Sequence, residues 1–98
     1  MEDKELLRKI EDALRGVEKK GGDLIPSTSS IKRQLLWCRD YLSGGAQPFE
    51  MPGPFSMGLI ATREFDMYGD DPELAVLINE IEREMNGRLP GGEAGGAK

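Results

Sequence analysis

The stretch FSMGLIATREFDMYGDDPELAVL, residues 55–77, holds two apolar helical faces joined by a short acidic turn, and that pairing decides the fold class. Asp71-Pro72-Glu73 reads as a helix start. An Asp oxygen can accept a free first-turn N–H, proline in the first turn gives up no hydrogen bond, and Glu sits well at the positive end of the helix dipole. The chain must therefore reverse within Phe65-Asp66-Met67-Tyr68-Gly69-Asp70, with Gly69 as the pivot. Upstream, Leu59, Ile60, Ala61 and Phe65 form the expected buried side of a helix over 55–67, and Gly58 lets another helix approach closely. Downstream, Leu74, Leu77, Ile78, Ile81 and Met85 recur at helical spacing and predict a helix over 72–86, closed by Asn86-Gly87.

The rest of the chain repeats this pattern. Leu6, Leu7, Ile10, Ala13, Leu14 and Val17, with charged residues between them, predict a first helix over 3–20 ended by Gly21-Gly22. Leu24 and Ile25 in the connector are expected to tuck under the bundle. Ser29 or Ser30 is the expected cap of a second helix, 30–43, which carries Ile31, Leu35, Cys38 and Leu42 on one face and Trp37 and Tyr41 on an adjoining one. Three prolines and one glycine among the nine residues of Ala46 to Pro54 make that segment a loop. No segment reads as a strand pair. The expected fold is all-α, a small antiparallel bundle of about four helices over residues 1–87, with a disordered tail over 88–98 that has too little apolar surface to join the core.

Composition narrows the function classes. The chain has 98 residues, 18 acidic and 13 basic, for a formal charge of −5. Its cations are dispersed among carboxylates, which argues against a nucleic-acid partner. With no histidine and one cysteine, the usual general base and the His/Cys zinc sets are missing. Cys38 falls on an apolar face and reads as a small buried hydrophobe. The carboxylates Glu64, Asp66, Asp70, Asp71 and Glu73 do not follow calcium-loop spacing, since Met67 and Tyr68 stand where oxygen ligands would be needed. They serve either as caps and dipole partners or as an acidic edge that meets a basic partner. No catalytic, metal or cofactor residues are expected, and the chain is not read as an enzyme. With no signal-peptide pattern and no apolar run long enough for a membrane, the expected location is the cytoplasm.

Trp37 and Tyr41, one helical turn apart, are either core or interface anchors. Phe49, Met51 and Phe55, in or beside the proline-stiffened loop, suit either a protein contact or packing over the bundle end. The ordered set Gly58, Ile60-Ala61, Glu64-Phe65-Asp66 and Asp71-Pro72-Glu73-Leu74, together with Ser30, Gln34-Leu35, Trp37, Arg39 and Leu42, resembles a small helical immunity-protein family. That family neutralises an NAD(P)-glycohydrolase effector of the type VI secretion system. The resemblance covers roughly residues 3 to 85; it is weak in the first helix and absent from QPFEMPGP, residues 47–54. It implies a cognate toxin as partner, inhibited by occlusion of its dinucleotide cleft. Anchors are then expected among Trp37, Tyr41, Phe49 and Met51, and a polar rim among Glu64, Asp66 and Asp70. The alternative is a helical adaptor that binds protein without a toxin partner.

Overall fold

The computed structural model describes residues 1–45, 54–67 and 69–89, and the secondary structure among them is helical. Helix α1 spans Asp3–Lys19, α2 Pro26–Leu42, α3 Met57–Ala61 and α4 Pro72–Arg88; α3 continues as a wider π-type turn over Thr62–Met67, and a single 3-10 turn, Gly22–Leu24, links α1 to α2. The pairing order makes every neighbour antiparallel. Along α1 and α2, Glu18 meets Lys32 (3.1 Å) and Glu11 meets Arg39 (3.6 Å). Along α1 and α4, Asp3 pairs with Arg88 and Lys9 with Glu80 (2.8 Å). Along α2 and α3, Ser56 lies beside Gln34. The result is an up-down-up-down bundle.

The core follows the helical periods. Leu6, Ile10, Ala13 and Val17 from α1 meet Ile31, Leu35 and Cys38 from α2, Met57, Ala61 and Phe65 from α3 and its extension, and Leu74, Ala75, Ile78, Ile81 and Met85 from α4. Each fully buried Leu or Ile contributes about 1.5–3 kcal/mol, the main force holding four short helices together. Leu7, expected on the first apolar face, is only half-buried, as are Leu14 and Leu77.

Several expectations are corrected. Helix α2 begins at Pro26 with Ile25 as its cap residue, so neither Ser29 nor Ser30 caps it. The reversal after α1 is so tight, with Gly21 at φ 146° and Gly22 at φ 52°, that the chain re-enters helix several residues sooner than the serine run suggests. The Thr28 hydroxyl closes this turn on the carbonyls of Gly22 (2.6 Å) and Ile25 (3.1 Å). Gly22 thereby takes the buried position, while Leu24 and Ile25 point outward instead of tucking under the bundle. In α3, Met57 is buried and Leu59 is 70 % exposed, because the short helix turns its 57–61–65 face to the core. Helix α4 does not stop at Asn86-Gly87. It runs to Arg88, whose guanidinium bonds Asp3 and the Met1 carbonyl, and Leu89 is buried behind it. The expected tail beyond Leu89, most of the 46–54 loop and Tyr68 lie outside the described residues.

Candidate functional site

The acidic turn between α3 and α4 is built as its sequence suggests. The Asp71 carboxylate accepts the Leu74 N–H at 3.2 Å, capping α4 with Pro72 in its first turn. The Asp71 N–H donates to the Phe65 carbonyl (2.9 Å), which closes the reversal. Gly69 owes its place to sterics: a Cβ there would stand 2.3 Å from the Glu64 carbonyl oxygen and 2.9 Å from the Phe65 Cα. Lys20, at the end of α1, reaches across to Asp70 (3.3 Å) and Asp71 (3.7 Å).

A polar seam locks α3 between its neighbours. The Gln34 side-chain oxygen, from α2, accepts the N–H groups of Ser56 and Met57, each at 2.9 Å, while its amide nitrogen donates to the hydroxyls of Ser30 and Ser56. Gln34 thus caps α3 from a different helix, where Ser56 makes no capping bond of its own. On the other side, the Gly58 N–H donates to Glu82 (2.8 Å), and Asn79 donates to the Gly58 and Ala75 carbonyls and the Thr62 hydroxyl. The expected close approach at Gly58 is therefore present, against α4.

The expected contact residues divide among separate places. Trp37 and Tyr41 are half-buried and stacked, with ring centroids 5.3 Å apart and planes 10° apart, and Phe55 meets Trp37 edge-on at 6.1 Å. This aromatic ledge lies toward the C-terminal end of α2, whereas Thr28, near its start, faces the acidic turn. At 1.5 Å per residue, Thr28 and Tyr41 are about 20 Å apart along the helix. Phe49 and Met51 lie outside the described residues. The acidic residues divide as well. Glu64 and Asp70 line a notch of about 150 Å³ against Ile25 and Thr28, while Asp66 lines an open groove of about 430 Å³ between α3 and α4, with Thr62, Val76, Asn79, Glu80 and Arg83.

Leu24 and Ile25 were missed as surface residues, and so was the role of Lys20. Leu24 is 92 % exposed. The two adjacent glycines before them were the available signal, since a reversal that tight leaves the following side chains outside. Cys38 is buried, and desolvation, aided by the nearby Glu82 carboxylate, pushes its thiol up to about 12. It is therefore a protonated core side chain at neutral pH. Among the described residues no three His, Cys, Asp or Glu side chains gather in a metal-holding group, and no helix is long and apolar enough to cross a membrane. No protein-family model, curated protein or solved structure matches this chain.

Proposed function

We propose that this chain is a non-catalytic immunity protein that acts in the cytoplasm, binding a co-encoded NAD(P)-glycohydrolase toxin and covering its dinucleotide cleft. The support is the family resemblance, and one observation carries it: four of the resembling residues join α2, α3 and α4. Gln34 caps α3, Gly58 admits the Asn79–Glu82 face of α4, Phe65 accepts the turn-closing bond and Asp71 caps α4. A sequence block shared for its fold alone would hold such a framework. A shared inhibitor would also present surface beside it, as the half-buried Trp37–Tyr41 pair, the half-buried Glu64 and the exposed Asp66 and Asp70 do.

The inhibitor does no chemistry in this reading. A few free toxin molecules suffice to harm the cell, so the complex must dissociate slowly, and slow dissociation comes from buried anchors shielded from water by a polar rim. Co-expression with the adjacent reading frame tests the proposal. Growth and cellular NAD are expected to be preserved by the intact chain. A toxin that still depletes NAD beside folded, excess protein would refute the proposal and leave the adaptor reading in its place.

A further inference from the structure

The outer face of α3 and α4 carries two exposed apolar side chains and two exposed charges at the corners of a near-square. Leu59 is 70 % exposed and Val76 66 %; Asp66 and Arg83 are exposed as well. The two helices run antiparallel with their levels fixed by contacts. The Gly58 N–H bonds Glu82, which sets Leu59 level with Arg83, and Asp66 shares its groove with Val76 at the other end. Val76 and Arg83 are seven residues apart on α4, about 10 Å at 1.5 Å per residue, and packed helix axes lie about 8–10 Å apart. Each diagonal therefore joins two residues of one kind, apolar Leu59 with Val76 and charged Asp66 with Arg83.

The charges on this face are uncommitted. Nearby, Glu80 is held by Lys9 (2.8 Å) and Arg63 lies 3.6 Å from Glu64, whereas Asp66 and Arg83 have no ion-pair partner among the described residues. The groove of about 430 Å³ between the helices is open and lined by polar and apolar side chains alike. Isolated exposed apolar side chains are ordinary. Their placement on one diagonal, with opposite charges on the other, is what selects an occupant.

We propose that a second copy of this chain docks here, in an isologous dimer whose two-fold axis runs along the Leu59–Val76 diagonal. Rotation about that axis lays Leu59 on Leu59 of the copy and Val76 on its Val76. It also carries Asp66 onto Arg83 and Arg83 onto Asp66, so two opposite-charge pairs form at once. The other axes in the plane of this face fail. An axis parallel to the helices, or at right angles to them, sets each charge on an apolar side chain, and one along the charged diagonal sets Asp66 on Asp66 and Arg83 on Arg83. Self-complementarity about one axis is what a closed two-fold interface requires. The exposed part of two short helices falls short of the roughly 800 Å² per partner of a standard interface, so the dimer is weak and forms at high protein concentration. It needs no toxin, and its test is independent of the immunity proposal.

Sedimentation equilibrium of the full chain, from micromolar to millimolar concentration, tests the pairing. The intact chain is expected to show a monomer–dimer equilibrium that weakens with salt. Asp66→Arg and Arg83→Asp each bring two pairs of like charges together and are expected to weaken it about tenfold or more, with the helical circular dichroism unchanged. Mixing the two variants restores opposite charges at both contacts, so the mixture is expected to dimerise as the intact chain does, while neither variant does so alone. Pairs formed within one chain would not be repaired by mixing. Leu59→Cys and Val76→Cys each meet their own copy on the axis and are expected to give disulfide-linked dimers under dioxygen. Lys4→Cys, exposed on α1, is expected to cross-link far more slowly, and the buried Cys38 takes no part. A chain that stays monomeric at millimolar concentration overturns the proposal, as does a mixture that associates no more tightly than its single variants. Cross-linking no faster at positions 59 and 76 than at position 4 overturns it too.

Discussion

Gly58→Ala is expected to destabilise the protein, although alanine is the better helix former. Removing glycine from a helix gains at most about 1 kcal/mol, and less in the first turn of so short a helix. Against this, the new Cβ would stand 2.5 Å from the Asn79 Oδ1 and 3.1 Å from the Glu82 Oε1. Glu82 can swing away only by releasing the Gly58 N–H. Asn79 can rotate only by giving up its bonds to the Gly58 and Ala75 carbonyls and the Thr62 hydroxyl. Each such bond contributes about 0.5–1.5 kcal/mol, so losing two or three outweighs the propensity gain. The net cost is about 1–3 kcal/mol, the usual range for overpacking. For a domain of this size that lowers Tm by roughly 5–20 °C. Thermal unfolding followed by circular dichroism measures it, with Gly87→Ala as the internal contrast. Gly87 lies in the last turn of α4 with nothing within 4 Å of its added Cβ, so the same substitution there is expected to be neutral or stabilising. Adding Asn79→Ala to Gly58→Ala removes the obstacle and is expected to cost less than the sum of the two single changes. If Gly58→Ala raises Tm as Gly87→Ala does, the close α3–α4 approach is wrong.

Leu35→Ala and Ile78→Ala each remove a fully buried side chain and are expected to cost about 2–5 kcal/mol in urea unfolding; values near zero would place those faces outside the core. Asp71→Ala loses the α4 cap and is expected to cost about 0.5–2 kcal/mol without preventing folding, whereas an unchanged Tm with lost binding to a partner protein would make Asp71 a contact residue. Cys38 keeps its proton in the folded state up to about 12 but loses it near 9 when unfolded. Its contribution is therefore full below pH 9 and is lost as pH rises toward 12, with a slope near 1.4 kcal/mol per pH unit. Cys38→Ala, though less stable at neutral pH, is expected to have the flatter profile over that interval, and the intact chain should resist thiol alkylation until it unfolds. Equal slopes or rapid alkylation would refute the burial.

Helix positions were legible in the chain because they depend on near neighbours. The 6–10–13–17 spacing of α1, the Asp71-Pro72 start of α4 and the glycine stop after α1 each act within one or two turns, and each is found where its residues stand. The boundary of α2 was not legible, since four successive hydroxyl residues offered equivalent caps and the choice fell to the turn at Gly21 and Gly22. Which large side chains reach the surface was decided by packing. Leu59 and Met57 are both apolar and both near the start of α3, and only the direction from which α2 and α4 approach selects Met57 for the core. The same holds at the candidate site. Gln34 caps a helix that begins 23 residues later, and Arg88 bonds Asp3, near the other end of the chain. Ile25 meets Glu64 and Asp70 only because α1 and α2 reverse at the end of the bundle where α3 and α4 also reverse. Periodicity places a residue on a face of its own helix, but which faces meet depends on contacts between residues far apart in the chain.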